Sequence, residues 1–462
     1  MKLKKKIYLG ALALAAMATL ASYAVIKGGD RKEKMEDPYN ITLKKSDENV
    51  IVNIISTTST LSGKKEKRFQ YSDEKKSNFI SGIPIVLDED KEATIKVLNN
   101  SGVITNVHWH GLSIPNSQDG PDITLDEKGE NTYKFTPKEA GTFWVHSHYR
   151  PVENQIEKGM YAPVIIRSEA DKKYNLDEIL MLADSQESEK HDSNMARMDM
   201  MDKKTDESTS IIDTINGKKI APKLELEGGE IGKLRFINAS ANNFKTVKFP
   251  FKVRAIAKDG YNLAKGYETE SITIAPGQRL DVEVILTGEK DRDYTIQDGN
   301  AKLKLIYKGN DRKRGISPFI PVKSNKLVKD VNGKAPDITM RLTEDMEMDA
   351  SGMKMREMIN GKVFPNTETF NVKVGQVYIV RFDNADTMAG MTHPMHVHGA
   401  HFQVISKNGK STNDPTWYDT YPMAQHVQTD IAIKFDEPGV WMVHCHILKH
   451  EDNGMMASFT AK

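Results

Sequence analysis

Along most of the chain, short runs rich in Val, Ile, Phe, Tyr and Thr are separated by turn residues, and inside the runs apolar and polar positions alternate. Ala93-Thr-Ile-Lys-Val-Leu98, Leu234-Arg-Phe-Ile237, Asp281-Val-Glu-Val-Ile-Leu286, Val377-Tyr-Ile-Val-Arg-Phe382 and Asp430-Ile-Ala-Ile-Lys-Phe435 are examples. A period of two turns one face of each run towards a core and the other towards water, which is the pattern of half-buried strands. Long runs of helical period are few. The pattern predicts an all-β chain built of antiparallel β-sandwiches.

The pattern also repeats. Lys134-Phe135, Ala140-Gly141 and Phe143-Trp-Val-His-Ser-His148 return as Lys434-Phe435, Pro438-Gly439 and Val440-Trp-Met-Val-His-Cys-His446, and Val107-His-Trp-His-Gly111 returns as Met395-His-Val-His-Gly399. The first and last thirds are therefore copies of one plan. The middle third has comparable strands and the turn Ala275-Pro-Gly-Gln-Arg279, but none of the histidine pairs. A length of 462 residues suits three units of about 150 residues each. The expected domains are 38–168, 170–328 and 329–462, after a polar linker from Gly28 to Asp37.

Residues 1–27 follow another pattern. Lys2, Lys4, Lys5 and Lys6 precede an uncharged stretch from Ile7 to Ile26, which reads as an export signal or, if it is not cleaved, as a membrane anchor. Either way the body of the protein is expected outside the cytoplasm, in the periplasm. Lys plus Arg number 65 against 64 Asp plus Glu, a net charge of +1 that offers no handle for a nucleic-acid backbone. With 38% apolar and 28% charged residues the chain is globular, neither disordered nor a polytopic membrane protein. A monomer is expected. The single cysteine, Cys445, cannot make a disulfide framework, and in an oxidising compartment a lone thiol calls for an occupant. A metal ion would serve.

Ten of the thirteen histidines fall in four groups: His108 and His110; His146 and His148; His393, His396 and His398; His444, His446 and His450. On a strand, residues i and i+2 share a face with Cα atoms roughly 6.6 Å apart, so each His-x-His pair can aim two imidazoles at neighbouring metal ions. Because each terminal domain supplies two pairs, a shared cluster must sit at their interface. Cys445, between His444 and His446, points its sulfur to the opposite face. With His393, His450 and a nearby methionine it supplies two imidazoles, a thiolate and a weak thioether, a set that suits a blue-copper centre. A closed zinc site would not require that set.

These residues resemble a known family. His108-Trp-His-Gly111, His146-Ser-His148, His393-Pro-Met-His-Val-His-Gly399 and His444-Cys-His-Ile-Leu-Lys-His450 followed by Met455 are similar to the four signatures of the multicopper oxidases, three-cupredoxin-domain enzymes that include laccases and bacterial cuprous oxidases. The resemblance covers nearly the whole chain after residue 27 and implies four copper ions. It assigns His393, Cys445, His450 and Met455 to a type 1 copper, His108 and His396 to a type 2 copper, and His110, His146, His148, His398, His444 and His446 to a type 3 pair. Ser147 stands where the repeat has Cys445, so one blue copper is expected. Met456 is the neighbour that spacing alone leaves open as axial ligand. The resemblance also places proton-delivering carboxylates at Asp119, eleven residues after His108, and at Glu451, directly after His450.

The chain has 22 methionines. Met340, Met346, Met348, Met353, Met355 and Met358 sit among charged residues ahead of the third domain's histidines, and Met195, Met198, Met200 and Met201 sit in a Lys- and Asp-rich stretch of the middle domain. Core packing is the ordinary use of methionine, yet no apolar face runs cleanly through Thr343-Glu-Asp-Met-Glu-Met-Asp349. Thioethers select Cu(I), so the expected donor is Cu(I), with Met346, Met348, Asp349 and Met391 as candidate substrate ligands. Copper-detoxifying members of the family carry methionine-rich insertions of this kind; they usually have a twin-arginine signal where this chain has lysines. The expected activity is oxidation of Cu(I) coupled to reduction of dioxygen. The alternatives are a laccase acting on phenolic donors and, from another class, a copper-sequestering protein.

Overall fold

The fold is given by a computed structural model that describes residues 39–59, 65–74, 80–187, 210–286, 292–309, 327, 334–349, 352–387, 390–412 and 414–462. The N-terminal segment 1–27, the group Met195 to Met201 and His191 lie outside the described residues. Among the described residues no helix is long and apolar enough to cross a membrane.

The predicted strands form. Ala93–Asn100 buries Ala93, Ile95, Val97 and Asn99, and Ala301–Lys308 buries Ala301, Leu303, Leu305 and Tyr307 while Lys302, Lys304 and Lys308 face water. Two four-stranded sheets enclose the first core: Glu66–Ser72, Asn49–Ser59, Ala93–Asn100 and Glu130–Phe135 in one, and Ile85–Asp88, Tyr161–Arg167, Gly141–His146 and His108–His110 in the other. The third core lies between a seven-stranded and a five-stranded sheet, the latter ordered Thr369–Val372, Met456–Ala461, Gly439–Cys445, His393–Val397 and Thr420–Met423.

In the middle of the chain nine strands form one continuous hydrogen-bonded sheet around a core from Leu176 to Tyr307. It turns on Lys245–Lys258, which pairs with three strands and shifts register between Lys248 and Val253; an irregularity of this kind lets one strand pass from one layer to the other. Most pairings are antiparallel, but Asn49–Ser59 with Ala93–Asn100, Gly232–Asn238 with Leu176–Glu187, and Ile338–Asp349 with Val377–Asn384 are parallel. Alternation in a sequence does not distinguish the two directions, because both expose every second side chain on one face.

Alternation fails where the histidines are. Gly141–His146 and His393–Val397 are buried at every position, because their outer faces are covered by other parts of the chain. One such cover is an apolar cluster joining Trp144, Ile156 and Tyr161 to Ile179, Met181, Ile237 and Ala239 and to Leu448, residues drawn from all three thirds of the sequence. Removing the Ile179 side chain, fully buried in this cluster, should lower stability by about 2–5 kcal/mol in Ile179→Ala. Ile220→Ala, at a side chain 73% exposed, should stay within about 0.5 kcal/mol of wild type; urea unfolding measures both, and equal effects would contradict the assignment of the seam to Ile179.

Candidate metal centre

The repeat in the sequence becomes a repeat in pairing. His108–His110 pairs with Gly141–His146 so that His108 stands opposite His146, and His393–Val397 pairs with Gly439–Cys445 so that His396 stands opposite His444 and Met395 opposite Cys445. The two half-sites face each other closely: His108 Nε2 lies 3.3 Å from His396 Nε2, and His148 Nε2 lies 3.3 Å from His444 Nε2. The rings of His108 and His398 stack at 3.8 Å, as do those of His110 and His396. Donor nitrogens converge in three sets, namely His108 with His110 and His396, His110 with His146 and His446, and His148 with His398 and His444. His146 and His148, His396 and His398, and His444 and His446 go to different sets, whereas His108 and His110 share one.

Carboxylates stand behind the ring. His398 Nδ1–H donates to Asp119 Oδ2 at 2.9 Å, and His108 Nδ1 lies 3.2 Å from Asp119 Oδ1. His444 Nδ1 lies 3.0 Å from Glu451 Oε2, with His148 Nε2 3.5 Å from the other oxygen. A partner at Nδ1 fixes the tautomer and turns Nε2 inward. His110 is reversed. Its Nε2 faces Asp419 at 3.2 Å and its Nδ1 lies 3.3 Å from His146 Nε2.

Burial pushes the imidazole pKa values down, to about 4 for His108 and His396 and about 3 for His148 and His398. These rings are neutral at ordinary pH and keep a lone pair for a metal. His444 differs: burial pushes it down, but Glu451 outweighs that and raises it. Burial by itself would raise Asp119 and Glu451; the histidines against them outweigh it and hold both well below the usual carboxylate range. His446 is fully buried with neither ring nitrogen hydrogen-bonded. A buried imidazole without a partner is costly, and metal ligation by one nitrogen would satisfy it.

The middle third walls this site although it brings no histidine pair. Arg279, fully buried, donates from Nη1 to Asp419 Oδ1 at 2.9 Å and from Nη2 to Oδ2 at 2.6 Å, and from Nε to the Thr142 carbonyl at 3.0 Å. Gln278 donates to the Thr420 carbonyl at 2.8 Å. Gly277, at φ +85°, lies so near His446 that a Cβ would fall 2.7 Å from the ring. In the sequence Ala275-Pro-Gly-Gln-Arg279 reads only as a turn, and Asp419 belongs to no motif. His401 is buried with Nε2 3.5 Å from Asp419, and His426 is exposed.

The second centre lies beside the first along the chain. Cys445 Sγ is 3.6 Å from His393 Nδ1 and 3.7 Å from His450 Nδ1, and the two nitrogens are 3.2 Å apart. Met455 shares the fully buried core cluster with Cys445, whereas Met456 lies in the strand opposite His444 and outside that cluster. Burial pushes the Cys445 thiol well up, so a metal that binds it must displace a proton. Two further carboxylates, absent from the motifs, back the histidines. Asp386 contacts His393 Nε2, and Glu357 Oε1 lies 3.9 Å from His450 Nε2. Burial, with Glu344 and Asp386 nearby, pushes Glu357 up to about 8.

The candidate substrate ligands separate. Met346 and Met348 lie on Ile338–Asp349 opposite Met355 and Met353 of Gly352–Ile359, and are 61% and 74% exposed. The Asp349 backbone pairs with Gly352 at the hairpin end, and its side chain lies outside the described residues. Met391 is half-buried in the turn two residues before His393, and its carbonyl accepts from Asn384.

Comparison with known proteins fits this geometry. Family models described as multicopper oxidase match residues 64–171, 179–312 and 337–462. A multicopper oxidase of Staphylococcus aureus is 31% identical, over 81% of this chain and 80% of its own. One of Mycobacterium tuberculosis is 26% identical over 82% and 81%. The crystal structure of a multi-copper oxidase from Pediococcus acidilactici superposes with a TM-score of 0.73 at 25% identity, over 91% of this chain and 89% of that one. The chain belongs to the multicopper oxidase family, oxidoreductases with copper cofactors and dioxygen as acceptor, and its sandwiches are cupredoxin-like.

The contact between the middle third and His446 generates a prediction. Gly277→Ala should cost about 1–3 kcal/mol from overpacking, read by urea unfolding, and should reduce the copper content after reconstitution. Wild-type copper content and stability would contradict a wall role for this turn.

Proposed function

We propose that the chain holds four copper ions and couples one-electron oxidation of Cu(I) to four-electron reduction of dioxygen to water. His393, Cys445, His450 and Met455 would hold the type 1 ion, His108 and His396 the type 2 ion, and His110, His146 and His446 with His148, His398 and His444 the type 3 pair. Bound copper would supply the one-electron transfers and the reduction of dioxygen. The protein's part is to keep the imidazoles oriented and dry. Cys445 is bonded through the backbone to His444 and His446, one from each triad, so the thiolate centre has a short covalent connection to both.

Four protons accompany four electrons to dioxygen. Asp119 and Glu451 are the carboxylates in place to pass them inward, each being buried with its oxygens against ring nitrogens. Both are ionised at rest, and each must take a proton from outside before delivering it.

The observation that carries the Cu(I) reading is the exposure of the hairpin methionines. Met346, Met348 and Met353 are 61%, 74% and 66% exposed, so they do not pack a core, and exposed soft donors among carboxylates suit capture of a soft cation. The lysine-rich start and the uncharged stretch Ile7 to Ile26 support export, to the periplasm.

Two experiments test the reading. Cys445→Ser should abolish the blue absorption and oxygen uptake while leaving the fold, as read by circular dichroism; retained blue colour would remove the type 1 assignment. Replacing Met346, Met348 and Met353 together by Leu should lower kcat/KM for Cu(I) about tenfold relative to kcat/KM for a phenol, a loss of about 1.4 kcal/mol of transition-state stabilisation. An unchanged ratio would favour a laccase. No oxygen uptake from either donor by the copper-loaded wild type would favour sequestration.

A further inference from the structure

The first third of the chain repeats the surroundings of Cys445 position by position. Thr105 stands three residues before His108, as His393 stands three before His396, and Ser147 lies between His146 and His148 as Cys445 lies between His444 and His446. Gln155 and Met160 follow Ser147 by eight and thirteen residues, where His450 and Met455 follow Cys445 by five and ten. A single lengthening by three residues between Ser147 and Gln155 accounts for both differences. Gln155 and His450 both sit on short helices, Val152–Ile156 and Leu448–Asp452.

The pairings agree with the spacing. Thr105 is bridged to Leu125 and His393 is paired with Met423, both antiparallel. The Ser147 amide donates to the Met160 carbonyl and the Cys445 amide to the Met455 carbonyl, each at 3.1 Å. The Asn99 side chain donates to the carbonyls of Val103 and Leu125 at 2.8 and 3.1 Å, and that of Asn384 donates to those of Met391 and Met423 at 3.0 and 2.8 Å.

Four side chains of different chemistry converge at these positions. The Thr105 hydroxyl donates to Gln155 Oε1 at 2.7 Å, the Ser147 hydroxyl donates to the same oxygen at 2.6 Å, and Met160 Sδ lies 3.0 Å from Thr105 Oγ1. Gln155 Nε2 donates in turn to the Ile104 carbonyl at 2.8 Å. Thr105, Ser147 and Met160 are fully buried, and Gln155 nearly so. Neutral hydroxyl and amide oxygens match copper poorly, and a metal entering here would break hydrogen bonds that are costly to lose in a buried pocket. The pocket is closed on itself.

We infer that Thr105, Ser147, Gln155 and Met160 form a metal-free counterpart of the type 1 set, whose hydrogen bonds position His146 and His148. The inference rests on the type 1 assignment proposed above for His393, Cys445, His450 and Met455. Ser147 is bonded on either side to His146 and His148, which belong to different donor sets, and its carbonyl accepts from His146 Nδ1 at 2.8 Å. Gln155 holds the Ser147 side chain, so the segment between the two imidazoles is fixed before any copper arrives. In the last third an ion would tie Cys445 to His393 and His450 instead.

The test measures copper retention by the reconstituted full chain against a competing chelator, with blue absorption reporting the type 1 ion separately. Gln155→Leu and the isosteric Thr105→Val each remove part of the hydrogen-bonded group. Both should hold the non-blue copper about tenfold more weakly than wild type while keeping the blue absorption. Thr105→Ser retains the hydroxyl and should hold it as tightly as wild type. Unchanged retention in Gln155→Leu and Thr105→Val, or loss of the blue absorption in step with the other copper, would overturn the positioning role. A gain of function tests the correspondence: Thr105→His/Ser147→Cys/Gln155→His, with Met160 left in place, should take up one additional copper ion and about double the blue absorption per chain. A triple variant that is folded by circular dichroism but gains no blue copper would overturn the correspondence; if it does not fold, the Gln155 and Thr105 comparison decides. If Cys445→Ser keeps the blue colour, the type 1 assignment fails, while the Gln155 and Thr105 variants still report on His146 and His148.

Discussion

The distance of 3.3 Å between His108 Nε2 and His396 Nε2 joins residues far apart in the chain, and most of the molecule serves to hold it. Neutral imidazoles pressed together in a dry seam gain little from one another, since each lone pair needs a proton or a metal opposite it. Closure is held from outside the ring. Asp119 of the first half-site reaches His398 of the second, while Asp419 faces His110 of the first half-site from the last third of the chain. The carboxylates therefore orient imidazoles across the seam as well as along it.

Arg279 ties the middle third of the chain, which brings no histidine pair, to the candidate site. Its fork on Asp419 is fully buried, and an unpaired charge at either end would be strongly destabilising. The middle third thus fixes the carboxylate that fixes His110, and the turn carrying Arg279 also places Gly277 against His446. An apolar cluster containing Trp144, Ile179 and Leu448 closes the same seam.

The two centres are served by different polar environments. Around the eight imidazoles each carboxylate is matched by ring nitrogens or a guanidinium, which holds it ionised. Around His393 and His450 the carboxylates Asp386 and Glu357 are buried with fewer partners, and Glu357 is pushed up to about 8. The first arrangement stabilises a fixed set of imidazoles. The second leaves Glu357, a carboxyl that burial keeps mostly protonated at neutral pH, at the inner end of the hairpin that reaches solvent.

The sequence alone determined the strands, the internal repeat and the ten clustered histidines with Cys445, because strand period and metal-ligand chemistry both act over a few residues. It also placed Asp119 and Glu451 next to those motifs. Arg279, Asp419, Asp386 and Glu357 were not legible in it, since a lone charged residue in a turn or strand carries no local sign of burial, and Arg279 and Asp419 stand 140 residues apart in the chain. The graded burial of the methionine-bearing hairpin was hidden for a related reason. Alternation shows which residues share a face, but only the pairing of Ile338–Asp349 with Gly352–Ile359, and the depth at which that hairpin is set, decided that Glu357 is buried beside His450 while Met348 stands in water.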